Sequence, residues 1–226
     1  MTNYYLDTEF IDDGTTIGLI SIGLVCEDGR ELYLVSSEFD RSRCDEWLET
    51  NVLNQLPKCA CPGGGTLSHL GHTDPNCKWR TRAQIRDAIR EFVVDPSDGS
   101  RAEFWAYFAS YDWVVFCQLF GKMIDLPKHF MWLCNDLKSW ATAIGFTGKF
   151  KELLPDTGHH DALADAKWNR DVHKLLRDRR DKNRFTLVHK LLLNLDDRSG
   201  YSCDSETREM ICPDWRKIVD EMDANL

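Results

Sequence analysis

Two carboxylates, Asp7 and Glu9, lie one residue apart in the run Tyr4-Tyr5-Leu6-Asp7-Thr8-Glu9-Phe10. The run reads as a β-strand. Side chains alternate across a strand, so Asp7 and Glu9 face one way while Leu6, Thr8 and Phe10 face the other. Paired carboxylates in a low-dielectric setting repel each other unless one is protonated or a cation lies between them. A hard divalent metal with oxygen ligands resolves that conflict. A lone Asp-x-Glu also fits an edge strand whose acids are simply solvated, and residues far downstream decide between the two.

Three of those residues share one explanation with the strand. Asp112 falls in a first helical turn just after a strand, where an acid also complements the helix dipole. Asp165 lies on a helical face among apolar residues, where an unpaired carboxylate is costly. His160 precedes Asp165 by five positions, at the mouth of the same helix. Asp7, Glu9, Asp112 and Asp165 can form a four-carboxylate cage with His160 at its rim. Such a cage suits two divalent ions about 4 Å apart, which activate a water on one side of a phosphodiester and stabilise the leaving oxygen on the other. A histidine suits the base that takes the water's proton.

The elements that must position these groups are legible in outline. Ile17 to Val25 is apolar on both alternating faces, as in a strand covered on both sides. Asp28-Gly29 marks a hairpin, and Glu31 to Ser36 is its partner, giving three antiparallel strands. Ser42 and Asp45 resemble a capping box for a helix over 43–54, and Thr81 with Gln84 opens another that ends near Asp95-Pro96. Strands are expected over Glu103 to Phe108 and Phe130 to Cys134. Helices are expected over Ser110 to Phe120, closed by Gly121, and Leu137 to Ile144, stopped by Gly145. A helix from Asp161 to about Arg180 turns Ala162, Asp165, Trp168, Asn169, Val172 and Leu176 inward. Trp105, Tyr111, Trp113 and Trp168 are expected in the core. The alternation of strands and helices implies an α/β sheet of mixed direction.

Two segments stand apart. Residues 56–80 carry Pro57, Cys59, Cys61, Gly63-Gly64-Gly65, His69, His72 and Cys77, which cannot be regular structure. Cys59, Cys61, His69, His72 and Cys77 are candidate ligands of a structural zinc. Cys-x-Cys is not the usual Cys-x-x-Cys clasp, however, and the favoured expectation is a flexible insertion with free thiols. Residues 183–226 contain Phe185, Leu187, Val188 and Leu191 to Leu193, too apolar for a free tail, and a terminal helix is expected after Pro213.

The 226 residues, 42% hydrophobic, suit one large domain with an appendage. A net charge of -9 argues against bulk attraction to nucleic acid or anionic membrane. It leaves room for a nucleic-acid enzyme whose acidic site is filled by cations. Without a long apolar run or a leader-like start, a soluble, cytoplasmic protein with no membrane partner is expected, its nine cysteines reduced.

The motifs Leu6-Asp7-Thr8-Glu9-Phe10, Tyr111-Asp112 and His160-Asp161-Ala162-Leu163-Ala164-Asp165-Ala166, in this order, resemble those of DEDDh-type 3'-5' exonucleases of the ribonuclease H-like superfamily. The last motif, continuing to Lys167-Trp168-Asn169, is most similar to RNase T-like actinobacterial and phage exoribonucleases. The resemblance implies a ribonuclease H-like mixed sheet flanked by helices in an exonuclease domain over 1–182. The Cys/Gly-rich insertion and a C-terminal helical extension over 183–226, packed on the core or at a dimer interface, are added to it. Asp7, Glu9, Asp112 and Asp165 would hold two Mg2+ or Mn2+ ions, and His160 would be the general base. His159 is one residue too far from Asp165 for that role. The substrate would be the 3' end of single-stranded RNA, the products nucleoside 5'-monophosphates, and the assembly a homodimer. Tyr107 stands where relatives often carry Asn. Phe10 is the candidate contact to the terminal base, with core packing as its alternative. A single-stranded DNA exonuclease and a non-catalytic nucleic-acid-binding module are the competing readings. An Asp-x-Asp phosphatase is a third, but it requires Asp where this chain has Glu9.

Overall fold

A computed structural model describes residues 1–59, 61, 74–94, 99, 101–155 and 160–198, with side chains in the last helix described to Asn183 and at Thr186. The strands are β1 (Thr2–Asp12), β2 (Ile17–Cys26), β3 (Glu31–Ser36), β4 (Trp79–Arg80), β5 (Ala102–Ala106) and β6 (Phe130–Asp136). They form one sheet in the order β4-β3-β2-β1-β5-β6. The pairs β1–β2 and β2–β3 are antiparallel, while β4, β5 and β6 join in parallel. The helices are α1 (Glu46–Asn51), α2 (Arg82–Phe92), α3 (Ser110–Phe120), α4 (Leu137–Ala143), α5 (Phe150–Leu153) and α6 (Ala162–Arg198). A mixed α/β sheet flanked by helices is the expected architecture and is compatible with a ribonuclease H-like fold.

The period of the strands divides the core. Tyr4, Leu6, Ile22, Leu24 and Phe104 pack against Ile85 and Ile89 of α2 and Val115, Phe116 and Leu119 of α3. Tyr5, Val25 and Trp105 turn the other way, onto Leu137 and Ala141 of α4 and Ala166, Val172 and Leu176 of α6. Alternation then puts Asp7 and Glu9 on the α6 side of the sheet and Thr8 on the α3 side.

β1 is only half paired along one edge. Its parallel register with β5 runs from Thr2↔Ala102 to Tyr5↔Trp105 and stops, while its pairing with β2 continues to Asp12. The carbonyl of one strand residue and the N–H two residues on face the same neighbour, so Leu6 and Thr8 lose their β5 partners together. Both groups find helical ones. Asn169 Nδ2 of α6 donates to the Leu6 carbonyl at 3.0 Å, and the Thr8 N–H donates to Asp112 Oδ1 of α3 at 2.8 Å.

Gly23 sets how closely α6 approaches. It pairs with Asp7 across β1–β2, and a Cβ at this position would lie 2.1 Å from the Ala162 carbonyl oxygen. Backbone therefore meets backbone where α6 begins. Lower down, His173 Nδ1 lies 2.8 Å from the Tyr5 hydroxyl and its ring stacks on Trp105 with centroids 4.0 Å apart, which fixes the rotation of α6.

Several boundaries differ from expectation. The single helix over 43–54 is a short α1 between two 3-10 turns, Arg41–Arg43 and Leu53–Gln55. The Asp45 carboxylate caps α1 by accepting from Leu48 N, while Ser42 is bonded to Asp40 instead. The Thr81–Gln84 capping box forms as read, but α2 ends at Phe92. The strand expected to reach Phe108 ends at Ala106, because Phe108 takes a φ of 54° and turns the chain into α3. α6 continues past Arg180 to Arg198. Tyr111 is 49% exposed and so is not core.

Contacts divide the chain into units Met1–Leu176 and Arg177–Leu226. The described part of the second is helical, with Arg180 paired to Asp181 and the Thr186 hydroxyl donating to the Lys182 carbonyl. The terminal helix expected after Pro213 lies outside the described residues. No helix among the described residues is long and apolar enough to cross a membrane.

Gly23→Ala tests the close approach. The added methyl meets backbone rather than a flexible side chain, so a loss of about 3 kcal/mol in unfolding free energy is expected, measurable by urea denaturation. A neutral substitution would show that α6 does not need this contact.

Candidate active site

Asp7 and Glu9 from β1 and Asp165 from the first turn of α6 each offer a carboxylate oxygen, and these oxygens lie within 4.8 Å of one another. Residues 7 and 165 meet because Gly23 admits the α6 backbone and Asn169 ties it to Leu6. Asp112 borders this trio from the opposite face of the sheet, reaching β1 around its open edge. Its Oδ1 accepts from both the backbone N–H and the hydroxyl of Thr8, at 2.8 and 2.7 Å. The two helix starts on that edge share a further anchor. Asp136, at the end of β6, accepts from Ala109 N before α3 and caps α4 through Ser139 N.

The electrostatics follow from this crowding. Burial, reinforced by the charges of Asp112, Asp165, Glu9 and Asp161, holds the Asp7 carboxyl well above the usual carboxylate range. Burial and the charges of Asp165, Asp112 and Asp161 push Glu9 up to about 8. Asp112 rises to about 6 through burial, and only so far because the Thr8 hydrogen bonds favour its ionised form. Asp161 is a fifth acid of the neighbourhood. It opens α6, accepting from Ala164 N at 2.8 Å. The burial of Tyr33 and the charges of Asp161 and Glu9 raise the phenol to about 12. Hard oxygen donors held together against their own repulsion match the needs of divalent cations such as Mg2+ or Mn2+.

His160 is exposed and stands outside the tight trio. Its φ of 42° is a left-handed conformation that histidine tolerates better than most residues, and the turn it makes lets Asp161 open α6. Its ring sits edge-on to Trp47 of α1, with centroids 4.7 Å apart. Trp47, itself 51% exposed, had no chemical motif to single it out. His159 lies outside the described residues. Phe10 stacks on Tyr111 with centroids 5.7 Å apart and ring planes 7° from parallel. Phe10 is half-buried and also touches the α3-side core, which is the core-packing alternative for it. Tyr107 packs on Phe150 and Trp168. In the insertion, Cys59, Cys61 and Cys77 come together, whereas His69 and His72 lie outside the described residues.

Sequence reasoning missed Thr8, Gly23, Asp161 and Asn169. Thr8 and Asn169 lay inside quoted motifs, but their tasks are hydrogen bonds to groups far away along the chain.

A pH prediction follows from Glu9. A carboxyl whose pKa is raised on folding binds its proton more tightly in the native state. The contribution of Glu9 to cation-free stability is then greatest below about 4.5 and falls as pH rises to about 8. Glu9→Gln removes this loss. In chelator, its melting temperature should overtake that of the parent chain increasingly between those limits and then stay a constant distance above. A gap that shrinks with rising pH would refute the assignment.

The profile of the Rv2179c-like 3'-5' exoribonuclease domain matches residues 69–176. Two curated proteins of Mycobacterium tuberculosis are similar along most of the chain: 3'-5' exoribonuclease Rv2179c of strain ATCC 25618 / H37Rv and 3'-5' exoribonuclease MT2234.1 of strain CDC 1551 / Oshkosh. Each is 41% identical over 187 residues, covering 82% of this chain and 92% of the relative. With that identity carried across nearly the whole length of the relatives, the chain belongs to the Rv2179c-like 3'-5' exoribonuclease family.

Proposed function

We propose that this chain is a DEDDh-type, metal-dependent exonuclease that removes nucleoside 5'-monophosphates from the 3' end of single-stranded RNA. The observation that carries the reading is the meeting of Asp7, Glu9 and Asp165 within 4.8 Å, with Asp112 held at their border. The relatives' printed names supply the 3'-5' direction and the RNA substrate. Asp7, Glu9, Asp112 and Asp165 would hold two Mg2+ or Mn2+ ions. When bound, such ions supply Lewis-acid activation of the attacking water and charge stabilisation of the leaving oxygen.

The chain's own residues then have separate tasks. Thr8 occupies Oδ1 of Asp112 and aims the carboxylate, leaving Oδ2 for a cation. His160 takes the proton of the attacking water, and Trp47 holds its ring at the rim. The stacked pair Phe10–Tyr111 offers an aromatic surface beside the acids, suited to the face of the terminal base. A homodimer completes the reading, and light scattering that finds a concentration-independent monomer would remove that part.

The central test is digestion of matched 5'-labelled single-stranded RNA and DNA with Mg2+, Mn2+ or chelator. Stepwise shortening of RNA from the 3' end, abolished by chelator, is expected. Preference for DNA would move the chain to the competing substrate, and shortening in chelator would rule out the metal role. His160→Ala should lower turnover by about 100-fold or more while divalent-ion binding, read by calorimetry, persists. Asp165→Asn should lose both. Full turnover in the His160 variant would exclude it as the base.

A further inference from the structure

We propose that Cys59, Cys61 and Cys77 form a zinc-binding thiolate site that staples the neck of the 56–80 insertion to the sheet edge, independently of the acidic site and its chemistry. The three sulfurs lie within 4.8 Å of one another, with Cys59 and Cys77 Sγ atoms 3.5 Å apart. Tetrahedral zinc with Zn–S bonds of about 2.3 Å spaces its sulfur ligands by about 3.8 Å. The Cys59–Cys77 separation is close to that spacing, and the third sulfur lies within reach of the same ion. The donor set also selects the metal class, since thiolates favour zinc over the hard cations that suit carboxylates.

Both limbs of the neck are held in place before any metal arrives. Cys77 is buried on a turn that begins at Asp74, whose carboxylate accepts from Asn76 N and whose carbonyl accepts from Cys77 N. Arg80 donates to the carbonyls of Asp74 and Pro75 at 2.9 and 3.2 Å, closing the turn against β4. β4 is in register with β3 through Val35 N to the Lys78 carbonyl and Ser37 N to the Arg80 carbonyl. The other limb is tied by the Trp79 indole N–H, which donates to the Pro57 carbonyl at 2.7 Å, two residues before Cys59. Trp79 also stacks on Phe39. Three thiols at the junction of two anchored limbs form a pre-organised site that needs little ordering on metal binding. The three thiolates supply three positions of the tetrahedron, and a further donor outside this trio completes it.

Zinc there would close the chain between residues 59 and 77 and secure β4, a strand of only two residues. Its ligands bind as thiolates, so loading releases protons and weakens in acid.

The test is metal analysis of the full chain purified under reducing conditions without chelator. About one zinc per chain is expected, retained through dialysis that removes Mg2+ and Mn2+. The Cys59→Ser/Cys61→Ser/Cys77→Ser variant should lose it, and Asp165→Asn should keep it. Co2+ substituted for zinc should give thiolate charge-transfer absorption that is absent in the triple variant. Since that variant could fold poorly, Cys59→Ser alone is the second arm, with weaker Co2+ absorption and a lower melting temperature than the zinc-loaded parent. Absence of retained zinc, zinc retained by the triple variant, or a Cys59–Cys77 disulfide that persists in protein purified under reducing conditions would each overturn the proposal.

Discussion

Everything at the acidic site depends on an edge of β1 that β5 abandons after Tyr5. A strand cannot leave a buried carbonyl and N–H without partners, because each unmet group costs about 1–3 kcal/mol. Leu6 and Thr8 recruit Asn169 and Asp112, and in doing so draw α6 and α3 to opposite sides of one strand. The backbone's need for hydrogen bonds and the convergence of carboxylates are thus met by the same contacts. Asp112 shows the double use most plainly, since the carboxylate that satisfies Thr8 is also one of the charges that raise Asp7 and Glu9.

The second constraint is charge. Asp7, Glu9, Asp112 and Asp165 are each placed by backbone geometry that takes no account of their mutual repulsion, and Asp161 adds to it because α6 needs a cap. Without cations the cluster keeps protons it would otherwise lose. The scaffold that tolerates this is built from ordinary packing, with the α2–α3 and α4–α6 layers burying both faces of β1 and β2. Any cation placed among these oxygens would have to displace those protons.

Much of this was legible in the sequence. Local signals gave β2, the hairpin to β3, the Thr81–Gln84 box, α3 with Gly121 and α4 with Gly145, because caps, turns and alternation act over a few residues. The acids stood out because apolar surroundings make carboxylates conspicuous. The division of α1 into shorter turns did not, since Asp40 and Asp45 compete as caps and only geometry ranks them. Gly23 looked like any other glycine of a buried strand until α6 was seen lying against it. Tyr111 looked like core because large aromatic side chains usually are, yet one helical position separates a buried face from an open one.

The contacts that create the site span long stretches of chain, 104 residues between Thr8 and Asp112 and 163 between Leu6 and Asn169. During synthesis the Asp7–Glu9 strand emerges before either helix that completes its edge. The acidic cluster therefore assembles only once α6 has followed β1 and α3. A chain lacking α6 would hold Asp7 and Glu9 without Asp165, and would leave the Leu6 carbonyl without the Asn169 amide.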